Sequence, residues 1–138
     1  HQYRVNPSAM LMTAKMMLEY LGLDEAGAKL LESGPKAVVI TRGGEGAVLY
    51  RKGHAPMPIV APKIKVADTI GAGDTFTAGL SVALLNQGVV EAAQLGSLTD
   101  AAWFDVLRFA ATAAALNCTR EGANPPTLDE VLAVLKGA

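Results

Sequence analysis

The residues with the clearest chemical potential are concentrated in one stretch, residues 68–79, which reads DTIGAGDTFTAG. Gly71 and Gly73 allow the chain to turn sharply and allow a ligand to approach bare backbone. A helix is predicted for residues 76–87, so free N–H groups and the positive end of the helix dipole would face an anion such as phosphate. Asp74 lies in this turn. Its carboxylate can either cap the helix or accept a proton from a bound ligand.

Two common glycine-rich phosphate motifs do not account for this stretch. A P-loop ends in Gly-Lys-Ser or Gly-Lys-Thr, and neither tripeptide occurs in the chain. The dinucleotide-binding fingerprint requires a third small residue at the position that Phe76 occupies. The stretch therefore needs another explanation.

The pattern Asp-Thr-x-Gly-Ala-Gly-Asp-Thr-Phe-x-x-Gly resembles, over twelve consecutive positions, the C-terminal signature of the PfkB/ribokinase family of carbohydrate kinases. The resemblance implies transfer of a phosphoryl group from ATP, bound with Mg²⁺, to a sugar hydroxyl. It implies that Asp74 is the base and that the amides of Gly71, Ala72 and Gly73 form an anion hole. It also implies an α/β fold, the C-terminal half of a ribokinase-like (Rossmann-like) layered domain with a mostly parallel sheet and flanking helices.

A second glycine cluster, TRGGEG, lies between two predicted strands, residues 36–41 and 47–50. The continuous apolar run of the first strand predicts burial on both faces of a sheet. On local grounds the glycines form a hairpin turn. Their Thr-x-Gly-x-x-Gly pattern also resembles the nucleotide-contacting segment of the same kinases, which would place Thr41, Gly43 and Gly46 at ATP.

A third stretch, residues 117–127, ends an alanine-rich predicted helix over residues 98–116, for which Thr99 or Asp100 is the expected cap. It leads into a capping box at Thr127 that starts the last helix. It resembles the end of fructokinase-like members of the family. The resemblance implies that Asn117 lines the nucleotide pocket and that a monovalent cation such as K⁺ is held nearby. The residues implied at this metal are Asp68, Ile70, Gly122 and Ala123.

The N-terminal segment predicts a strongly apolar helix over residues 8–21, and a second helix capped by Asp24. Residues 6–23 also resemble a helix of the isopropylmalate and isocitrate dehydrogenase family. The kinase resemblance instead uses Asn6 as the first residue of an Asn-x-x-Glu motif that helps to place magnesium and phosphate, with Ala9 at the Glu position. Either the motif has changed, or residues 1–32 come from elsewhere and the chain is a chimera.

Composition excludes several classes of protein. The chain has 138 residues, 51% of them hydrophobic, with 12 basic and 13 acidic residues. No basic stripe suggests nucleic acid, and no apolar run reaches the roughly 18 residues of a membrane span. Cys118 is alone, so no intrachain disulfide can form. We expect a cytoplasmic protein that binds neither nucleic acid nor membrane.

The family builds its sugar site mainly from an N-terminal half that has no match here, so residues 1–138 are expected to be a fragment that holds ATP and the base and is inactive alone. Two alternatives stay open: a nucleotide-binding module without catalysis, and a recombined or designed chain that folds as an oligomer. A homo-oligomer is expected in any case, because half of a layered domain leaves a sheet edge open and residues 8–21 add apolar surface.

Overall fold

The computed structural model describes residues 22–137 and the backbone of residues 9–13. The described residues form one strand and one α-helix, then three strands and then three α-helices, with short 3₁₀ segments at Gly43–Glu45 and Ala92–Ser97. The elements are β1 (Ala9–Thr13), α1 (Leu23–Glu32), β2 (Ala37–Thr41), β3 (Ala47–Tyr50), β4 (Met57–Ile59), α2 (Ala72–Asn86), α3 (Asp100–Cys118) and α4 (Leu128–Gly137).

The described strands form one sheet in the order β1-β2-β3-β4. β1 runs parallel to β2, with Ala9 opposite Ala37, because the connection between them includes α1 and is long enough for a crossover. The connections from β2 to β3 and from β3 to β4 are short, and both pairings are antiparallel. The predicted α/β class and the predicted hairpin are confirmed. The resemblance implied a mostly parallel sheet; in the described sheet the β1–β2 pairing is parallel and the other two are antiparallel.

The predicted helix over residues 8–21 is wrong for residues 9–13, which form β1. The sequence AMLMT suits a helix by local propensity, but pairing with β2 along its whole length supplies the backbone with sheet hydrogen bonds instead. Residues 14–21 and Asn6 lie outside the described residues, so the remainder of that prediction and the Asn-x-x-Glu motif stay predictions.

Strand β2 is buried from both sides, as its apolar run predicted. Ala37 and Val39 pack in one cluster with residues of α2 and α3, whereas Val38 and Ile40 pack in another with residues of α1. The sheet is therefore the middle of three layers, with α1 on one face and the α2–α3 pair on the other.

Helices α2 and α3 make close contact at Gly79, where an added Cβ would lie 3.1 Å from the Cα of Ala110. Thr99 caps α3, since its hydroxyl accepts a hydrogen bond from the N–H of Ala102 at 3.1 Å. Among the described helices none is both long and apolar enough to cross a membrane.

The capping box predicted for α4 is confirmed, because Thr127 and Glu130 exchange hydrogen bonds of 3.0 and 3.2 Å. The cap predicted at Asp24 is wrong, since Gly22 is the N-cap of α1. The Asp24 carboxylate instead accepts a hydrogen bond of 2.9 Å from the hydroxyl of Tyr50, which a buried tyrosine requires.

Candidate active site

A cavity of about 730 Å³ opens between the β2–β3 turn and the facing ends of α2 and α3. Four segments line it: the turn 41–46, the stretch 61–66, the first turn of α2 and the second half of α3. The volume lies in the range of roughly 300–1,000 Å³ found for small-molecule sites. The lining residues are 41–46, 61–64, Val66, Thr69, Ala72, Gly73, Phe76, Ala111, Ala114, Ala115 and Cys118.

Gly46 holds the turn 41–46 in place. Its φ is +97°, and an added Cβ would lie 1.9 Å from the carbonyl oxygen of Ile59, so only glycine fits. The N–H of Arg42 donates to the carbonyl of Gly46 at 2.7 Å and closes the turn. The backbone of this glycine-rich turn therefore lies against the end of β4 and borders the cavity.

Charged side chains at the cavity are two cations and one anion. Arg42 forms an ion pair of 3.1 Å with Glu45 across the turn, and its Nε is buried without a partner in the described part of the chain. Lys63 lines the cavity with no salt bridge to any described residue. The net charge of these three described side chains is positive, which favours an anionic ligand.

The first turn of α2 presents free backbone donors. The helix starts at Ala72, four residues before the predicted start, because Gly71 takes the N-cap position with φ +79°. The amide of Ala72 donates to the carbonyl of Thr69 at 3.2 Å. The amides of Gly71, Gly73 and Asp74 have no acceptor among the described residues. Of the three amides predicted for the anion hole, that of Ala72 is thus used within the turn, while the amides of Gly71 and Gly73 remain available.

Asp74 is exposed in the same first turn. Its carboxylate makes no hydrogen bond to any described residue, and the N-cap position belongs to Gly71, so the capping alternative is wrong. Asp74 and Gly71 border a smaller cavity of about 380 Å³, whereas Ala72 and Gly73 border the larger one. The first turn of α2 therefore separates two cavities, with the carboxylate on the side of the smaller one.

Asp68 joins two loops just before this turn. One carboxylate oxygen accepts a hydrogen bond from the amide of Ile70, and the other accepts one from the amide of Gly122, both at 2.9 Å. These bonds, that from Ile70 first, hold the pKa of the Asp68 carboxyl below its usual value. The Asp68 carboxylate thus lies in the loop where the cation was predicted, and Ala123, the residue after Gly122, lies against Gly71.

Asn117 is fully buried, with 0% of its surface exposed. Its side-chain amide donates to the carbonyl of Ile70 at 2.7 Å, and its side-chain oxygen accepts from the amide of Asn124 at 3.0 Å. It lines neither cavity. The residue predicted to touch the nucleotide therefore stands behind the turn that starts α2.

The sequence predictions missed part of the cavity lining. Lys63, Phe76 and Cys118 border the cavity, and none was assigned to it from the sequence. The one available signal was position, because residues 61–66 directly precede the DTIGAGD stretch and Cys118 directly follows Asn117. Burial and the charge of Asp68 raise the pKa of the Cys118 thiol.

The residues present fit the metal ions that the resemblance implies. Within residues 22–137 no group of three or more His, Cys, Asp or Glu side chains could hold a metal by itself. Mg²⁺ would thus be held mainly by phosphate and water oxygens, as is common for this ion. The carboxylate of Asp68 keeps further acceptor capacity beyond its two hydrogen bonds, and the K⁺ site stays a prediction.

Comparison with known proteins agrees with this arrangement. The family model described as pfkB family carbohydrate kinase matches residues 19–130. The chain is 36% identical over 117 residues, 83% of its length, to a ribokinase of Arabidopsis thaliana, and 38% identical over 89 residues, 62% of its length, to a fructokinase of Rhizobium leguminosarum bv. trifolii. The crystal structure of a fructokinase with bound ATP from Xylella fastidiosa aligns with 94% of the chain at a TM-score of 0.80 and 26% identity.

The chain spans 27% of the length of each of these two relatives and 42% of the Xylella fastidiosa chain. The match to the family model nevertheless covers most of the chain and includes the first turn of α2, the turn 41–46 and the loop after α3. The chain belongs to the pfkB family of carbohydrate kinases.

Proposed function

We propose that this chain is the nucleotide-binding and catalytic-base part of an ATP-dependent sugar kinase. One observation carries the proposal: the first turn of α2 separates two cavities and offers free amides together with a carboxylate that has no partner among the described residues. Phosphoryl transfer needs a donor site, an acceptor side and positive potential between them. This turn supplies all three within four residues.

ATP would occupy the larger cavity. The glycine-rich turn 41–46 would contact the nucleotide through its backbone, while Arg42 and Lys63 balance the phosphate charge. The ATP-bound fructokinase of Xylella fastidiosa, with which the chain shares its fold, supports this choice of ligand. Bound Mg²⁺ would neutralise part of the charge on the phosphates.

The amides of Gly71 and Gly73 would stabilise the negative charge on the transferring group. Each such donor contributes about 3 kcal/mol in comparable anion sites. Asp74 would accept the proton of the sugar hydroxyl, a role that increases rates by about 10²–10⁴-fold. Its position on the side of the smaller cavity is what attack from opposite the nucleotide requires.

The walls of the smaller cavity are largely apolar and offer few polar partners for a sugar. We therefore propose that residues 1–138 act as one unit that binds ATP or ADP and completes its sugar site with further chain. The match of the family model from residue 19 onward supports a kinase origin for the later part of residues 1–32 as well. Turnover by the isolated chain is expected to be negligible, since orientation of the acceptor is worth about 7–11 kcal/mol of the barrier.

The test combines calorimetry with Mg·ADP and single-turnover measurement of ATP hydrolysis. Asp74→Asn should leave ADP affinity within about twofold and lower any hydrolysis by roughly 10²–10⁴-fold, because the amide cannot accept the proton. Asp129→Asn is the matched control, since Asp129 is an exposed acid in the first turn of α4 and borders neither cavity. Equal hydrolysis by the two variants would contradict the role of Asp74, and a chain that binds no nucleotide would contradict the proposed function.

A further inference from the structure

We propose that Asn117 is a positioning residue for the phosphate site, not a nucleotide contact. The inference rests on the proposed function and assigns a role behind the site to a residue that touches neither cavity. Asn117 belongs to α3, yet both of its side-chain hydrogen bonds go to loops that flank the start of α2. Its carboxamide thus links α3 to the turn before α2 and to the loop after α3. We call this pair of hydrogen bonds the clasp.

The first bond of the clasp acts on the turn itself. The side-chain amide of Asn117 donates to the carbonyl of Ile70, the residue immediately before Gly71 with its positive φ. This carbonyl and the N–H of Gly71 belong to the same planar peptide unit and point in opposite directions. Holding the carbonyl of Ile70 therefore orients one of the free donors proposed to bind phosphate.

The second bond acts on the loop after α3. The side-chain oxygen of Asn117 accepts from the amide of Asn124, and Ala123 next to it packs against Gly71. An added Cβ at Gly71 would lie 3.0 Å from the Cβ of Ala123, so the two loops touch. Asp68 makes a parallel connection through Ile70 and Gly122. The turn is thus held from behind at two points.

Burial makes the clasp costly to break. Replacing Asn117 by an apolar residue would leave the carbonyl of Ile70 and the amide of Asn124 without their present partners. The side chain of Asn117 is itself fully buried. The loss should appear first as movement of residues 70–74, before the larger cavity is affected.

The test uses three variants of the whole chain. Asn117→Leu has a similar volume and removes both bonds. Asn117→Asp keeps the acceptor for Asn124 and removes the donor to Ile70. Thr112→Val is the matched control, because Thr112 is a 1% exposed polar residue of the same helix that borders neither cavity.

Amide hydrogen exchange without nucleotide tests the clasp directly. Both Asn117 variants should speed exchange by about tenfold at the two hydrogen-bonded amides of this turn, those of Ala72 and Thr75, the effect of losing roughly 1.4 kcal/mol of local stability. The amide of Asn124 should lose protection in Asn117→Leu and keep it in Asn117→Asp. Equal exchange at the amides of Ala72 and Thr75 in wild type and both variants would overturn the inference. If Asn117→Leu does not fold, the residue-specific pattern in Asn117→Asp still decides it.

Ligand affinity separates this inference from the proposed function. Both Asn117 variants should weaken Mg·ADP binding about tenfold more than they weaken adenosine binding, because adenosine has no phosphate for the turn to hold, whereas Thr112→Val should change both affinities alike. Equal weakening of ADP and adenosine binding in the Asn117 variants would overturn the positioning role and leave the proposed function standing. A wild-type chain that binds no ADP would overturn the proposed function, while hydrogen exchange would still show whether the clasp orders the turn.

Discussion

At the scale of single residues, the two glycines of the α2 turn have different requirements. Gly71 must be glycine, because it combines a φ of +79° with close contact to Ala123. Gly73 has no such structural need, since nothing lies within 4 Å of the position that its Cβ would occupy. Its lack of a side chain matters for the ligand instead, because it borders the larger cavity.

Gly73→Ala should therefore separate binding from stability. We expect Mg·ADP affinity to fall on the order of tenfold, about 1.4 kcal/mol, because the methyl group blocks approach to the amide. The free energy of unfolding should not fall, since alanine suits a helix better than glycine. Calorimetry and urea unfolding measure the two effects. Gly96→Ala, also in open space but away from both cavities, is the control and should change neither. Unaltered ADP affinity in Gly73→Ala would remove Gly73 from the anion site.

At the scale of elements, the site depends on how closely α2 and α3 approach one another. Their contact forms one side of both cavities and includes Gly79, which faces Ala110 and Ala113. The atom that faces Gly79 is the Cα of Ala110, and a backbone atom cannot move aside as a flexible side chain can. The spacing of the two helices therefore depends on the absence of a side chain at Gly79.

Gly79→Ala should force the two helices apart. We expect a loss of about 1–2 kcal/mol in the free energy of unfolding, the net of an overpacking cost of roughly 1–3 kcal/mol and a gain of up to about 1 kcal/mol in helix propensity. Urea unfolding measures the change, and Gly73→Ala in the same helix is the control. A Gly79→Ala variant as stable as wild type would mean that the α2–α3 contact adapts without strain.

The contact between α1 and β3 predicts a dependence of stability on pH. Tyr50 is 4% exposed, and burial together with its hydrogen bond to Asp24 raises its pKa above the ordinary value of about 10. In the unfolded chain the phenol ionises near pH 10, whereas in the folded chain it stays protonated. The stability that Tyr50 contributes is thus fully present below pH 10 and is lost as the pH rises above it.

The comparison with Tyr50→Phe isolates this effect. The wild-type protein should lose up to about 1.4 kcal/mol per pH unit above pH 10 relative to Tyr50→Phe, which has no group to ionise. Below pH 9 the variant should be less stable by about 1 kcal/mol, because Asp24 loses its donor. Urea unfolding from pH 8 to 11 measures both. Parallel pH profiles for the two proteins would show that Tyr50 ionises equally in both states.

At the scale of the whole molecule, the chain offers surface for association. β1 and β4 are the two outer strands of the described sheet, and β1 has β2 as its neighbour on one side. An outer strand with unpaired backbone groups can pair with a second chain. This supports the proposal that the chain forms a homo-oligomer.

Sedimentation equilibrium should therefore show a dimer or larger species at micromolar concentrations. Paired replacement of Met12 and Met16 by Glu should dissociate it or unfold the chain, because a charge would enter an apolar segment. Val90→Glu is the control, since Val90 is 73% exposed and lies outside the sheet. A compact monomer at high micromolar concentration would contradict the proposal.

The sequence by itself determined the parts of this protein that depend on local chemistry. The turn before α2, the β2–β3 hairpin, the two-sided burial of β2 and the caps at Thr99 and Thr127 each follow from a few adjacent residues. The family followed from the DTIGAGD stretch for the same reason. Few other residue types can form a turn that combines a positive φ, free amides and a carboxylate.

Only the tertiary structure decided the features that need a distant partner. Residues 9–13 became a strand because β2 pairs with them, although their local pattern suits a helix. Asp24 does not cap its helix but bonds to a tyrosine 26 positions away, and Asn117 bonds to the loop before α2 and the loop after α3 and does not line the cavity. A polar side chain bonds to whichever group folding brings within about 3 Å, and sequence order does not specify that group.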